Sequence, residues 1–220
     1  MAEAIDPKIL TLNQKFGWII LRPFLKFFTR YSFCVDCDIR DLKRPFIITS
    51  NHTSHIDSPL FGTVLPFGCG VYPVYFIAID RFWTTMSFRG KFLRLFGAFR
   101  AYKKEGLDKS LAIPQKILKD GYSLLFFPQS HRRPYFDVNE GRQGAAILAL
   151  KTKIPILPVA ICGISNFSWK DFFGRKYRIK VKIGQPYFLH EKLSSQNAAE
   201  DVQEGTKIIM LEIKKLLESY

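Results

Sequence analysis

The stretch "PFIITSNHTSHIDSP", from Pro45 to Pro59, contains an apolar run, a polar loop and the beginning of a helix-like segment. The run "FIITS" has the length and β-branched content of a buried strand, and "SPLFGTVL" is typical of a helix. The nine residues from Asn51 onward include two histidines, an aspartate and two serines. In α/β sheets, functional groups lie in the loops at the carboxyl ends of strands. This loop is therefore the first candidate site.

Two interpretations of this loop are possible. His52 and Asp57 are five positions apart, so a turn can bring the carboxylate to one imidazole nitrogen. That contact would fix the tautomer and leave the other nitrogen to act as a general base. His55 is a rival base, but Asp57 is only two residues away and is expected to point elsewhere. The alternative is that Asp57 and Ser58 only cap a helix starting at Pro59, although a cap needs neither histidine.

Strand-like and helix-like segments alternate along the rest of the chain. The predicted strands are "SFCVDCDI", "FIITSN", "VYPVYFIAI", "AFRAY", "SLLFF", "ILPVAIC" and "KYRIKVKIG". The predicted helices are "SPLFGTVL", Arg81 to Phe96, "KSLAIPQKILKD" interrupted by Pro114, "GAAILALKT", and the tail from Ser194 to Tyr220. This alternation predicts an α/β domain over residues 32–220, with a mixed, largely parallel central sheet flanked by helices.

Residues 1–31 are predicted to form an amphipathic helix or helix pair that docks on a membrane. Asp6-Pro7 is a typical helix start, and Pro23 should kink or split the helix. One side carries Lys8, Lys15, Arg22, Lys26 and Arg30, and the other carries mostly Ile9, Phe16, Ile20, Phe24, Leu25, Phe27 and Phe28. Two interpretations stay open: a helix packed on the core of its own domain, or one lying in a membrane interface.

The composition indicates one folded domain that binds anionic partners. The chain has 220 residues, 47% hydrophobic content and a net charge of +14. Nucleic acid, an anionic bilayer, a phosphorylated small molecule or an acidic carrier protein would all fit this charge. The 21 phenylalanines suit a lipid interface but could also stack on bases. A largely disordered chain is excluded by the apolar content.

The cysteines and the first residues indicate a protein of the reducing cytoplasm. Cys34 and Cys37 form a C-x-x-C pair without a second pair or matching histidines, so we expect a strand and no zinc site. Nothing indicates a disulfide framework. The first residues lack a signal-peptide pattern, and no apolar run near the start approaches the roughly 20 residues of a membrane-spanning helix.

A second polar cluster, "LLFFPQSHRRP", also follows a buried strand. Its Arg132 and Arg133 could bind phosphate, because arginine forks match phosphate oxygens; the alternative is a solvated basic loop. The chain has no G-x-S-x-G elbow, and the neighbours Ser130 and His131 have a poor geometry for a nucleophile and its base. A base without a protein nucleophile indicates that a substrate hydroxyl attacks.

These stretches together resemble the motifs of the glycerolipid acyltransferases, in particular the 1-acylglycerol-3-phosphate acyltransferase family. "NHTSHID" resembles the N-H-x-x-x-x-D motif, with His52 and Asp57 at its catalytic positions. "GAFRAYK" resembles the second motif, with Lys103 where arginine is usual, and "FFPQSHR" resembles the third, F-P-E-G-T-R. "GAAILALKTKIPILPVAI" resembles the fourth motif, with Pro155 and Pro158 in place.

The resemblance extends over about Phe46 to Gln185 and departs from the family in the third motif. Gln129, Ser130 and His131 replace the usual glutamate, glycine and threonine, whereas Arg132 is kept. Serine tolerates a positive φ less well than glycine, so the loop backbone is expected to differ. A neutral Gln129 removes a charge near the acceptor's head group.

The resemblance implies transfer of a fatty acyl chain from acyl-carrier protein or acyl-CoA to a lysophospholipid, with 1-acylglycerol-3-phosphate giving phosphatidic acid. His52 would be the general base and Asp57 would orient it, without an acyl-enzyme. The implied acceptor-binding residues are Lys103, Gln129, Ser130, Arg132, Arg133 and Arg142.

The resemblance further implies no cofactor and no metal, and a peripheral enzyme on the cytoplasmic face of an anionic cell membrane. One alternative is an acyltransferase with a different lysolipid acceptor. The other is a non-catalytic basic module that binds membrane or nucleic acid, although no RNA- or DNA-binding signature is present.

Overall fold

The computed structural model describes residues 4–78, 88–100, 106–129, 131–193 and 197–219. The helices are α1 (Pro7–Thr29), α2 (Asp57–Val64), α3 (Phe88–Leu95), α4 (Leu107–Lys119), α5 (Gly144–Thr152), α6 (Trp169–Phe173) and α7 (Ala198–Glu218). The strands are β1 (Ser32–Val35), β2 (Ile47–Ser50), β3 (Val74–Ala78), β4 (Ala98–Arg100), β5 (Ser123–Phe126), β6 (Ile156–Cys162) and β7 (Lys180–Ile183). The predicted binding residues Lys103 and Ser130 lie outside the described residues, as does the beginning of the helix predicted from Arg81.

The strands described form one sheet in the order β1-β7-β6-β2-β5-β3-β4. All neighbouring pairs are parallel except β6 and β7, which are antiparallel. The mixed, largely parallel sheet flanked by helices is thereby confirmed. Thr49 of β2 lies beside Phe126 of β5 on one side and Pro158 of β6 on the other. The carboxyl ends of these three strands therefore meet at one edge of the sheet.

The sheet is covered on both faces, which explains why all four residues of β2 are buried. Ile48 belongs to a core cluster on one face, together with Leu25 of α1, Leu60 of α2 and Phe172 of α6. Ile47 belongs to the cluster on the other face, together with Leu118 of α4, Leu148 of α5 and Ile213 of α7. The loop that follows β2 is thus anchored between two packed layers.

Helix α1 begins where the sequence predicts. The Asp6 carboxylate accepts hydrogen bonds from the N–H groups of Lys8 at 2.8 Å and Ile9 at 3.3 Å, and Pro7 is the first helical residue. The helix ends at Thr29, and the next residue, Arg30, caps it: Arg30 adopts a left-handed conformation with φ of 47° and donates its N–H to the Lys26 carbonyl.

Two prolines lie inside helices without ending them. α1 continues through Pro23, so the helix pair allowed for at the N-terminus is a single helix. α4 continues through Pro114, and the predicted interruption there is wrong. A proline removes one helical hydrogen bond. Packing compensates here, because Leu25 and Leu118 in the following turns are buried.

Two further segments differ from the sequence prediction. β1 ends at Val35, so Cys37 lies beyond the strand predicted over "SFCVDCDI". Helix α6 has no counterpart in the prediction, because its five residues are too few for helical periodicity to register. Across the described ranges, no cluster of three or more potential metal ligands is found, and no helix is both long and apolar enough to traverse a bilayer.

Candidate active site

Asn51 fixes the start of the loop after β2. Its Nδ2 donates to the Ile161 carbonyl at 2.7 Å, and its Oδ1 accepts from the Ile161 N–H at 2.8 Å. The side chain is buried and pairs with β6 as a further strand residue would. This double hydrogen bond ties the residue before His52 to the neighbouring strand.

The Asp57 carboxylate is buried and accepts hydrogen bonds from four donors. Oδ2 lies 2.8 Å from His52 Nδ1, 2.8 Å from the Thr53 N–H nitrogen and 2.9 Å from that of Ser54. Oδ1 accepts from Ser54 Oγ at 2.5 Å. A carboxylate surrounded by donors is stabilised in its ionised form. We therefore assign the proton of His52 to Nδ1, which leaves the Nε2 lone pair available.

The loop geometry decides between the two sequence interpretations of Asp57. Helix α2 begins at Asp57, its N-cap is Ile56, and no side chain caps it. The interpretation in which Asp57 and Ser58 serve as the helix cap is therefore wrong. Asp57 instead bonds backward to the loop and to His52. Of the two histidines in the loop, His52 is the one that contacts the Asp57 carboxylate, whereas His55 is exposed.

The second polar cluster lies directly against the first. The Phe127 ring, which follows β5, stacks on the His52 imidazole with centroids 4.1 Å apart and planes at 18°. The Arg133 N–H donates to the His52 carbonyl at 3.0 Å. These contacts follow from strand order, because β2 and β5 are neighbours with a common direction. The two clusters separated in sequence thus form one site.

A cavity of about 360 Å³ extends from His52 between helices α1, α2 and α3 and strands β3 and β5. Most of its lining is apolar, and the side chains include Trp18, Leu21, Phe61, Phe76, Phe96, Leu125 and Phe127. Polar residues that line it include His55 and Ser58 from the loop after β2 and the start of α2, and His131 and Arg132 from the loop after β5. The cavity therefore joins a polar end at His52 to an apolar interior.

Tyr72 is a polar lining residue that stays neutral. Burial raises the pKa of Tyr72 well above the ordinary value for a phenol. The protonated hydroxyl lies 3.0 Å from the Gly62 carbonyl, to which it donates. The Tyr72 side chain thus satisfies a backbone carbonyl of α2 and adds no charge to the cavity.

Helix α1 forms one wall of this cavity and is held there by polar contacts. The Gln14 side chain donates to the Val74 carbonyl at 2.6 Å and accepts from the Val74 N–H at 3.0 Å. Trp18 Nε1 donates to the Leu65 carbonyl at 2.9 Å. Gly17 permits the close approach, since a Cβ there would lie 2.6 Å from Cε1 of Phe96. The inner side of α1 is therefore part of the site.

The predicted phosphate-binding residues occupy different positions. Arg132 is exposed and lines the cavity. The Arg133 guanidinium is paired with Glu140, with Nε 2.7 Å from Oε2. Arg142 is exposed, and its N–H donates to the Pro128 carbonyl at 2.9 Å. Gln129 is buried, and its Nε2 has no hydrogen-bond partner among the residues described. Arg132 is thus the best-placed cation of these.

The chain matches a family model described as "Acyltransferase" over residues 34–162. The match covers more than half of the chain and includes both polar clusters. The chain belongs to the acyltransferase family. The predicted resemblance is confirmed, and the matched residues of this acyltransferase-family chain include His52 and Asp57.

Named relatives of this acyltransferase-family chain are 1-acyl-sn-glycerol-3-phosphate acyltransferases. The Bacillus subtilis protein is 31% identical over 148 residues, which cover 66% of this chain and 67% of that protein. The Saccharomyces cerevisiae protein is 28% identical over 166 residues, which cover 72% of this chain and 50% of that protein. The chain thus aligns with between half and two thirds of the length of these relatives.

A solved structure shares the fold. The crystal structure of the 1-acyl-sn-glycerophosphate acyltransferase PlsC from Thermotoga maritima superposes with a TM-score of 0.60 at 25% identity. The match covers 93% of this chain and 79% of that chain. The two chains therefore share most of their fold.

Several residues of the site are absent from the sequence prediction. Ser54, Phe127 and Asn51 support the His52–Asp57 pair, and α1 contributes Gln14 and Trp18 around the cavity. Phe127 could have been found, because it follows a strand parallel to that of His52. The contribution of α1 could not have been found from the sequence, because the residues on the inner side of this helix show no pattern specific to a cavity.

Proposed function

We propose that this protein is an O-acyltransferase that moves a fatty acyl chain from an acyl thioester to the free hydroxyl of a lysophospholipid. The proposed acceptor is 1-acylglycerol-3-phosphate, and the product is phosphatidic acid. The supporting observation is the combination of a His52–Asp57 pair at 2.8 Å with an adjoining apolar cavity. Membership of the acyltransferase family supports the same reaction class.

His52 is proposed to act as the general base. The acceptor hydroxyl oxygen attacks the thioester carbonyl carbon while Nε2 of His52 takes the hydroxyl proton. Collapse of the tetrahedral intermediate breaks the carbon–sulfur bond, and the departing thiolate recovers the proton from the imidazolium. Asp57 keeps Nδ1 protonated and stabilises the transient positive charge. No acyl-enzyme is required, because the attacking oxygen belongs to the substrate.

The cavity is proposed to hold an acyl chain. Its aromatic and aliphatic walls exclude water, and its polar end lies at His52, where the thioester carbonyl would react. Burial of a methylene group is favourable by about 0.8 kcal/mol, so a chain of many methylenes is strongly held by such walls. The cavity thus accounts for selection of a lipid substrate.

Arg132 is proposed to bind the acceptor's phosphate. Its side chain lines the cavity and is exposed, whereas the Arg133 guanidinium is paired with Glu140. Arg142 and Arg133 are proposed as weaker, electrostatic contributors, together with Lys103 from outside the described residues. Gln129 offers a buried amide donor without a described partner and is a candidate for a neutral contact to the acceptor. Ser130 is retained as a candidate from the family motif.

A membrane surface is proposed as the place of reaction. The outer side of α1 exposes Phe16, Ile20 and Phe24, and the helix carries four basic and no acidic residues and is followed by Arg30. Such a helix can lie in the interface of an anionic bilayer without crossing it. The free cysteines fit a reducing compartment, so we place the enzyme on the cytoplasmic face. Acyl-carrier protein or acyl-CoA is the proposed donor.

A turnover assay tests this function. Purified protein is given a radiolabelled acyl thioester, as acyl-CoA or acyl-carrier protein, and a panel of lysophospholipids. Labelled phosphatidic acid from lysophosphatidic acid is the expected product. Turnover with only another lysolipid would show that the proposed acceptor is wrong. No turnover with any combination of donor and acceptor would favour a non-catalytic membrane-binding module.

A further inference from the structure

Helix α6 and the outer side of α1 together expose a large apolar surface, which we call the α1–α6 surface. It consists of Phe16, Ile20, Phe24 and Phe27 of α1 with Trp169 and Phe173 of α6. The α6 residues are among the most exposed large side chains described, with Trp169 at 59% and Phe173 at 56%. Exposed aromatic residues clustered in this way mark an interaction site.

Aromatic contacts make the two parts of this surface continuous. The Phe28 ring of α1 lies 5.2 Å from Phe172 and 5.4 Å from Phe173, measured between centroids. Phe172 is buried and anchors α6 to the core, whereas Trp169 and Phe173 lie outward with stacked rings 5.9 Å apart. Helix α6 is therefore packed on the core and presents two exposed rings beside α1.

A hydrogen bond and a cation–π contact fasten the end of α6 to α1. Arg175 Nε donates to the Phe27 carbonyl at 3.1 Å. The same guanidinium lies 4.3 Å from the centroid of the Phe27 ring. The relative position of the two helices is thus set by specific contacts as well as by packing.

The charges around the α1–α6 surface are almost all positive. Residues 165–178 contain four basic residues and one acidic residue. The acidic residue, Asp171, is paired with Lys176 at 2.7 Å, and the hydrogen bond from Lys176 lowers the pKa of Asp171. The exposed cations of α1 are Lys8, Lys15 and Lys26, with Arg30 directly after it, and those in and shortly after α6 are Lys170, Arg175, Lys176 and Arg178. Apolar rings surrounded by cations are complementary to an anionic lipid surface.

The topology places α6 at the functional edge of the sheet. α6 follows β6, which runs parallel to β2, and the carboxyl end of β2 leads to His52. Contact of α6 with a bilayer therefore brings the His52 edge toward the lipid. A surface on the opposite edge would direct the site away from a membrane substrate.

We propose that α6 is a second membrane-contact element, in which Trp169 and Phe173 enter the headgroup region of an anionic bilayer beside α1. The inference extends the membrane docking of α1 proposed above and does not depend on the reaction itself. Trp169 suits this position, since indole rings favour the membrane–water interface. Association of two copies through the same surface is disfavoured, because their basic rims would face each other.

Vesicle binding of matched variants tests the proposal. The full chain, Trp169→Ser/Phe173→Ser and the control Phe188→Ser are sedimented with vesicles of phosphatidylcholine and phosphatidylglycerol. Phe188 is an exposed aromatic residue next to Tyr187, which pairs with Ile156 at the amino end of β6. The double variant should bind roughly tenfold or more weakly, and the control should bind as the full chain does.

Circular dichroism shows whether the double variant folds. An assay with detergent-dispersed substrates measures its acyl-transfer rate in the absence of vesicles. A folded double variant with unchanged vesicle affinity overturns the proposal. Loss of a dimer without loss of vesicle binding also overturns it, because the surface would then join two copies. Vesicle binding requires no turnover, so failure of the proposed reaction would be recognised separately.

Tryptophan fluorescence gives a second test that needs no change at α6. Trp18→Phe/Trp83→Phe leaves Trp169 as the sole tryptophan of the chain. Its emission should shift to shorter wavelength with phosphatidylglycerol-containing vesicles and be quenched by brominated lipid. Unchanged Trp169 emission from sedimented, vesicle-bound protein would show that α6 stays in water and would overturn the proposal.

Discussion

The loops after β2 and β5 lie side by side but are built differently. In the first, Asp57 is buried and holds His52, Thr53 and Ser54 by hydrogen bonds. In the second, His131 and Arg132 are exposed at the cavity. The first loop keeps the family motif, whereas the departures from it fall in the second. A closed network fixes the groups proposed for chemistry, whereas His131 and Arg132 reach the cavity from an exposed part of the second loop.

The largest expected effect is that of His52→Ala. Loss of the proposed base should lower kcat by roughly 10²- to 10⁴-fold, because the imidazole that Asp57 holds would no longer take the hydroxyl proton. Steady-state kinetics on folded protein measures this, with His55→Ala as the comparison. Near-normal turnover in His52→Ala would refute the mechanism, and a dead His55→Ala beside an active His52→Ala would exchange the two roles.

Asp57→Asn should approach the loss caused by His52→Ala. The amide is neutral, so it cannot stabilise the imidazolium, and its NH₂ group would face donors that now point at a carboxylate. The expected signature is a fall in kcat with little change in the acceptor KM. A raised acceptor KM with normal kcat would move Asp57 from the chemistry to substrate binding.

Arg132→Ala should affect the acceptor and spare the donor. Loss of a charge-assisted contact to phosphate costs roughly 1.5–3 kcal/mol, or about 10- to 100-fold in the acceptor KM. Arg40→Ala is the matched control, since Arg40 is exposed and paired with Asp38 next to β1. Equal activity of the parent protein on monoacylglycerol and lysophosphatidic acid would contradict a phosphate-binding role.

Ser54→Ala should have the smallest effect of these substitutions. It removes the 2.5 Å hydrogen bond to Asp57 but leaves the backbone donors of Thr53 and Ser54 in place. We expect about a tenfold lower kcat and an unchanged acceptor KM. Thr53→Ala is the control, because Thr53 contacts Asp57 through its backbone. Equal losses in the two variants would mean that Ser54 acts through general packing.

The sequence predicts the part of the fold that follows from simple periodicity. The apolar run of β2, the helix start at Asp6-Pro7 and the alternation of strands and helices all indicate the observed elements. The His52–Asp57 contact is also predictable, because both residues belong to one short loop. Contacts between distant segments are harder to predict. The stacking of Phe127 on His52, for example, depends on the pairing of β5 with β2.

The errors have physical causes that act beyond local sequence. Pro23 and Pro114 look like helix breaks, but packing of the following turns stabilises both helices. α6 has only five residues, so no periodicity distinguishes it from a loop. The two open interpretations of α1, core helix or interfacial helix, are compatible in the structure, since its inner side packs and its outer side is exposed. The domain boundary at residue 31 stays a prediction.

Helix α1 contacts the cavity through Gln14 and Trp18 and presents Phe16 and Ile20 outward. If an acyl chain binds in the cavity and the outer side binds a bilayer, as proposed above, this one helix links the two binding equilibria. If a cavity ligand changes vesicle affinity by some factor, vesicles must change the affinity for that ligand by the same factor. Titrating each in the presence of the other closes a thermodynamic cycle. A coupling free energy of zero would mean that α1 takes the same position in all four states.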